Sequence, residues 1–253
     1  MHSVSKPDNR AARELITTQI VKLRARDRIS PEEEEALASK CSETRRYEAG
    51  EKIVRAREPL SNSNLLVEGM VARQIYLPDG GRQIVGLHVP GDFVDLHSFL
   101  LHALEHEIIC ITAATIAVFP HAMLNEIVET QPHLTRMLWL STLIDAAIHR
   151  EWEVNLGRRR ARDRLAHLFC ELHARLDLVG RVSGNVFSLP LTQIDLADCC
   201  GLTSVHVNRM LRELREDGLV EFRSGTVTIL DVERLAASCD FDPFYLNVRL
   251  EPR

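Results

Sequence analysis

Between Leu191 and Val220 the apolar positions follow a helical period twice, with a single glycine between the two runs. Thr192 is placed to cap the first run, because its hydroxyl can accept a hydrogen bond from an orphan amide of the next turn. Ile194, Leu196, Ala197 and Cys200 then share one helical face. Gly201 stands where a tight turn needs tolerance of positive φ. Thr203 or Ser204 caps a second helix with Val207, Met210, Leu211 and Leu214 as its buried stripe, and Gly218 ends it. The pattern predicts a helix-turn-helix, whose second helix can enter a DNA major groove.

Upstream, Ser30-Pro31-Glu32-Glu33 combines an N-cap, a proline at the first helical position and a glutamate three residues after the cap, which predicts a helix over 31–41. The earlier segment with Leu15, Ile16, Ile20 and Leu23 is amphipathic. It reads as a docking helix or, from Lys22, Arg24 and Arg26, as a mobile arm. From about Arg45 to Pro120 the period changes to short β-like runs broken at Glu68-Gly69, Asp79-Gly80-Gly81 and Pro90-Gly91-Asp92, which predicts an antiparallel sandwich or barrel.

A long helix is predicted over roughly 132–156, with Leu134, Met137, Leu138, Ile144, Ile148 and Trp152 on one stripe. That stripe could pack on the helix's own domain, but its length after a β-domain suits a two-helix dimer seam better. Another helix is expected over about 162–178, buried through Leu165, Leu168, Phe169, Leu172 and Leu176. "LVEFRSGTVTIL" reads as two strands around Ser224-Gly225, the wing of a winged helix, and Asp231 caps a last short helix. The fold class is α+β, divided as an N-terminal extension (1–30), a β-barrel sensor (31–130), a dimerisation helix (131–158) and a winged helix-turn-helix with a C-terminal tail (159–253).

The chain has 253 residues, 45% of them hydrophobic, which is enough for one or two domains with buried cores. No apolar run approaches the roughly 20 residues that span a membrane, and the first thirty residues lack the apolar core of a signal peptide. A cytoplasmic location without membrane association is the expectation. The six cysteines show no C-x-x-C pair and suit reduced packing residues. A net charge of -5 is unusual for a nucleic-acid binder. Locally, however, "RRRARDR" gathers Arg158, Arg159, Arg160, Arg162 and Arg164 before the helix-turn-helix, either as a solvated face or as a phosphate-binding patch.

The order of β-barrel, long helix and winged helix-turn-helix resembles the Crp/Fnr family of bacterial transcription regulators over residues 31 to 235. "LTQIDLADCCGLTSVHVNRMLRELREDGLVEF" is the most specific match, supported by "VPGDFVDLHSFL" and the Gly69 turn. The resemblance implies a homodimer on a palindromic operator in double-stranded DNA, with RNA polymerase as a further partner. Arg209 falls on the family's guanine-reading arginine, whose fork matches the O6/N7 edge of G; a surface ion pair with Glu213 is the plainer reading. Thr192, Gln193, Thr203, Ser204, Val205, His206, Asn208 and Arg212 complete the expected DNA-contacting set. Val205 stands where the family commonly has glutamate, and Gln193 where the cyclic-AMP receptor has arginine, so an operator other than the usual half-site is implied.

The sensor departs further. Cyclic-nucleotide binders of the family carry Gly-Glu-Leu-Gly after the Gly-Asp turn and then Arg-Ser-Ala; the matching stretches are Asp95-Leu96-His97-Ser98 and Leu104-Glu105-His106-Glu107. Leucine cannot accept a ribose hydrogen bond and Glu105 repels a phosphate, which argues against cyclic AMP. The N-terminal cysteine cluster of the iron-sulphur members is absent, which argues against that cluster. His97, His102 and His106, with His88, are the remaining candidate ligands for a metal or haem, His102 and His106 having i,i+4 spacing if helical. A ligand-binding barrel without DNA binding, or a cupin-like enzyme using "HSFLLHALEHE", is the competing reading. No nucleophile-base set or phosphate loop supports an enzyme, and the effector stays unassigned.

Overall fold

The computed structural model describes residues 7–252. Residues 1–6 of the expected N-terminal extension, and Arg253 of the tail, lie outside the described residues. The helices are α1 (Asn9–Arg24), α2 (Pro31–Ala38), α3 (Ser98–Leu101), α4 (His121–Thr130), α5 (Pro132–Arg158), α6 (Ala161–Asp177), α7 (Gln193–Cys200), α8 (Ser204–Glu216) and α9 (Val232–Ser238). The strands are β1 (Glu43–Tyr47), β2 (Lys52–Val54), β3 (Asn62–Glu68), β4 (Val71–Tyr76), β5 (Arg82–His88), β6 (Glu107–Cys110), β7 (Ala114–Pro120), β8 (Val186–Ser188), β9 (Val220–Arg223) and β10 (Thr226–Ile229). The described chain divides into two compact units: residues 7–75, 87–145 and 247–252, and residues 76–86 with 146–246.

In the first unit, antiparallel strands form one sheet in the order β1-β7-β3 and a second through β2-β6-β4. β3 and β7 are apolar on both faces, and strand alternation sends their side chains into two different cores. Leu66, Ile116 and Val118 point into the barrel with Val71, Val94 and Ile108. Leu65, Ala117 and Phe119 point outward, where Ile16, Ile20, Leu23, Leu37, Leu124 and Ile127 cover them from α1, α2 and α4. Of the two readings of α1, docking is the one realised. Lys22 Nζ lies 2.6 Å from Asp92 Oδ1, and a side chain on Gly91 would meet the Thr18 backbone carbonyl at 2.9 Å. Ser30 and Glu33 complete the capping box that opens α2.

The long helix α5 contradicts the expected seam. Leu134, Met137 and Leu138 belong to the same chain's core, and Ile148 and Trp152 are also buried, leaving only Ile144 half-exposed. Trp152 Nε1 donates to the carboxylate of Glu171 at 3.2 Å. That fully buried carboxylate also accepts from Arg175 at 2.9 Å and from the Tyr245 hydroxyl at 2.9 Å. Side chains already packed inside one chain cannot face a second copy. The exposed apolar residues of α5 are instead Trp139, at 64%, with Leu143 and Val154.

The second unit holds α6 to α9 and a three-stranded sheet in the order β8-β10-β9. Ser224 and Gly225, at φ 49° and 73°, make the two-residue hairpin turn whose twist suits paired strands. β8, α3 and α4 were not anticipated, the first two being too short to show a period. The tail docks through a 3-10 turn, Pro243–Leu246, in which Tyr245 stacks on His167.

Candidate nucleic-acid interface

The helix-turn-helix forms where the apolar periods place it. Thr192 Oγ1 accepts from the Asp195 amide at 3.1 Å while Asp195 Oδ2 accepts from the Thr192 amide at 2.8 Å, a reciprocal cap that fixes the start of α7. Within the same unit the Arg82 guanidinium spans Asp195 and Asp198, each at 2.6 Å. Bonds from the Thr192 cap and Arg82 hold the Asp195 carboxyl below its ordinary range, although burial pushes the other way. Gly201 adopts φ +60°, with Leu156 Cδ2 3.0 Å from where a Cβ would sit, so both conformation and space favour glycine.

Thr203, not Ser204, caps α8, accepting from the His206 amide at 3.3 Å. Val207, Met210 and Leu214 are buried and Leu211 is half-buried, which turns the opposite face outward. On that face Val205 is 77% exposed, and His206, Asn208, Arg209 and Arg212 are also exposed; Ser204 is half-buried. Thr192 and Gln193 are exposed on the neighbouring helix, and Asn208 Nδ2 reaches Gln193 Oε1 at 3.4 Å, so the two helices present one polar surface. Ile194 is a correction: it is 61% exposed and takes no part in the apolar face of α7.

Arg209 has Glu213 as a neighbour, but at 3.9 Å and with its side chain 60% exposed the pair is loose. Such a surface pair is worth well under about 1 kcal/mol and leaves the guanidinium available. The "RRRARDR" run does not form one patch. Arg159 bonds Glu151 and Asn155, Arg162 bonds Asp217, and Arg164 bonds the carbonyls of Arg159 and Cys200. Arg158 and Arg160 remain exposed. Sequence reasoning passed over Arg223 at the wing tip, which is exposed and only 3.7 Å from Glu221; its place beside the Ser224-Gly225 turn was the available signal.

The histidines do not converge on a metal. Among the described residues no group of three or more His, Cys, Asp or Glu could hold one. The expected i,i+4 pair is not helical, because α3 ends at Leu101 and His102 caps it with φ 60°. His97 packs near His106 at 5.7 Å between ring centroids, whereas His102 lies near His121 at 6.3 Å. His106 Nδ1 is bonded to Glu105 at 2.9 Å. Burial, reinforced by the Arg73 charge, pushes His97 down to about 4.

Around the turn that follows Gly91, the polar groups are already engaged. Asp95 is fully buried and accepts from the Asn64 amide and Nδ2, each at 2.6 Å. Burial raises its carboxyl to about 6 against those bonds and the Arg73 charge. Arg73 gives Nε and Nη2 to the Val94 carbonyl at 3.0 and 2.6 Å and Nη1 to Asp145 at 2.6 Å. Leu96 is buried in the outer apolar core. No helix among the described residues is long and apolar enough to cross a membrane.

Residues 163–238 match the Crp-like helix-turn-helix domain, and residues 44–131 the cyclic nucleotide-binding domain. The chain is 30% identical over 195 residues to the nitrogen fixation regulation protein FixK of Bradyrhizobium diazoefficiens, covering 76% of this chain and 81% of that one. It is 29% identical to the transcriptional activator protein FnrL of Cereibacter sphaeroides, covering 80% and 83%. Among solved structures it is similar to FixK2 from Bradyrhizobium japonicum, with a TM-score of 0.70 and 26% identity over 77% of this chain and 95% of that one.

Proposed function

The chain belongs to the Crp/Fnr family of transcription regulators, a DNA-binding protein and not an enzyme, and from that premise we propose that it acts as a homodimer on a palindromic operator, read by the exposed face of α8. The observation that carries this reading is the separation of faces on α8. Val207, Met210 and Leu214 anchor it to its own unit, while Val205, His206, Asn208, Arg209 and Arg212 stand in solvent. A helix held this way offers base-reading side chains without further rearrangement. Arg209 supplies a fork for guanine, and Val205 offers apolar contact to a thymine methyl. Thr192, Gln193, Thr203 and Ser204 contact the flanking backbone, and Arg158, Arg160 and Arg223 add phosphate contacts that carry no sequence information.

The dimer uses the outer face of α5, with Trp139, Leu143 and Val154, because the inner stripe is already covered. The sensor residues do not fit a cyclic nucleotide. Leu96 offers no acceptor, Asp95 and Arg73 are committed to protein partners, and Glu105 brings negative charge. We take the signal to be something other than cyclic AMP, with no metal or iron-sulphur cluster assigned. RNA polymerase is the expected protein partner, and the cytoplasm the expected location.

Selection from a random duplex library tests the reading. The enriched DNA should be a palindrome whose half-sites lie about one helical turn, roughly 34 Å, apart. Enrichment of a single unrepeated half-site would remove the two-fold. Sedimentation of the Trp139→Glu, Leu143→Glu double variant should show a folded monomer, and a persistent dimer would move the interface elsewhere.

A further inference from the structure

The C-terminal tail lies beyond the residues that match the helix-turn-helix domain, which end at 238. Its side chains are nevertheless built into the second unit. The Phe241 amide donates to the Ala236 carbonyl at 3.0 Å, which fastens the tail to the end of α9. From there Phe241 and Tyr245 close over His167 of α6, edge-on at 5.1 Å and stacked at 6.1 Å between ring centroids. Leu246, which ends the 3-10 turn, is buried.

The tail covers the junction of α5 and α6, all of it within the second unit. Arg159 and Arg160 alone separate the two helices, and so short a link is a swivel unless side chains clamp it. Arg159 is bonded back to Glu151 and Asn155, and its carbonyl accepts from Arg164 Nε at 2.9 Å. Asn155 Nδ2 donates to His167 Nδ1 at 3.1 Å, which ties α5 to α6 directly. Burial, with the Arg159 charge, pushes His167 down to about 3, so the ring stays neutral and can accept. One turn further, the buried Glu171 carboxylate joins three elements. It accepts from Trp152 of α5 at 3.2 Å, from Arg175 of α6 at 2.9 Å and from the Tyr245 hydroxyl at 2.9 Å. Tyr245 thus both stacks on His167 and bonds Glu171.

We propose that the tail, through Phe241 and Tyr245, fixes the angle between α5 and α6 and thereby the half-site spacing that the dimer accepts. This rests on the homodimer and palindrome proposed above. α6 packs on α8, so α8 turns with α6. With α5 at the two-fold, a change at the Arg159-Arg160 link moves the two copies of α8 together or apart. One added base pair shifts a half-site by roughly 3.4 Å and turns it by about 35° around the duplex. A clamped link therefore fits one spacing, and a loose link fits several. Neither Phe241 nor Tyr245 lies on α8, so both act as positioning residues.

Fluorescence anisotropy of the full chain tests the proposal, on palindromes that share the selected half-site and differ in spacer by single base pairs. A duplex with one half-site reports base reading alone. The natural chain should favour one spacing. Its advantage over neighbouring spacings should shrink about tenfold in Phe241→Ala with Tyr245→Ala and about threefold in Tyr245→Phe, the scale of a lost hydrogen bond to a charged group. Affinity for the single half-site should stay within about twofold in both. Variants that keep the natural spacing preference, or that weaken the single half-site as much as the palindromes, overturn the proposal. Should the natural chain show no preferred spacing, the homodimer reading falls and this proposal with it. Tyr245→Phe leaves both rings in place and decides even if the double variant fails to fold.

Discussion

In the first unit the Arg73 guanidinium is buried and gives its donors to the Val94 carbonyl and Asp145, whereas in the second unit Arg209 stands in water with Glu213 at 3.9 Å. The same contrast runs through their surroundings. Asn64 and Asp95 satisfy each other inside the barrel and Arg73 bonds Val94 and Asp145 beside them, whereas Val205, Arg209 and Arg212 on α8 face outward. A buried charge must be satisfied internally, because leaving it unpaired costs several kcal/mol. An exposed donor keeps water as a partner until a ligand displaces it. The barrel therefore spends its polar chemistry on its own fold, while the helix pair holds its own in reserve for DNA.

The contrast breaks most visibly at Arg73. Arg73→Ala would remove two donors from the Val94 carbonyl and the guanidinium from Asp145, and urea denaturation should show a loss of about 3 kcal/mol. A loss below about 0.5 kcal/mol, the range of ordinary surface changes, would mean that the guanidinium is not structural.

Two histidines of the first unit sharpen the picture by titrating in opposite directions. His97 is pushed down to about 4, first by burial and then by the Arg73 charge. His133 is buried in part, which opposes charging, but its bonds to Glu33 at 2.5 Å and Asp27 at 3.2 Å outweigh that and raise it. The folded value of His133 lies above that of the unfolded chain. Its contribution is therefore fully present below about pH 6.5 and lost as pH rises through the folded value. For His97 the sign reverses: its contribution is present above about pH 6.5 and lost as pH falls toward about 4. NMR titration should find His133 above and His97 below the ordinary histidine value. In urea, the stability lost by His133→Asn should shrink as pH rises through that window, and a constant loss would remove the ion pair.

The smallest effect belongs to the basic run. Arg158→Ala with Arg160→Ala should weaken operator and scrambled DNA alike and flatten the salt dependence by a slope of about 0.9 per lost contact. Arg159→Ala should instead disturb the end of α5, because Arg159 is tied to Glu151 and Asn155. If Arg159→Ala reduces the salt slope without changing stability, the division of the run is misplaced.

Much of the DNA-reading unit was legible because its signals are local. The caps at Thr192 and Asp231, the turn at Gly201 and the hairpin at Ser224-Gly225 each depend on a few adjacent residues. The face of α5 was not legible, since both Leu134-Met137-Leu138 and Trp139-Leu143 are apolar, and a period cannot say which one meets the chain's own core. Arg162 and Arg164 read as free charge because their partners, Asp217 and the Cys200 carbonyl, lie far along the chain. The i,i+4 spacing of His102 and His106 would bring them together only on a helix, and α3 ends one residue before His102. Arg73 gave no signal at all: an arginine within an alternating strand reads as an outward residue, and only its partners reveal that it is buried.

The most direct test of the account is fluorescence anisotropy with Arg209→Ala on the selected operator and on scrambled DNA. The account predicts a loss of about 1–3 kcal/mol per contact on the operator, relaxed preference at one base pair of each half-site, and little change on scrambled DNA. Equal weakening of both DNAs would contradict it and make Arg209 a phosphate contact.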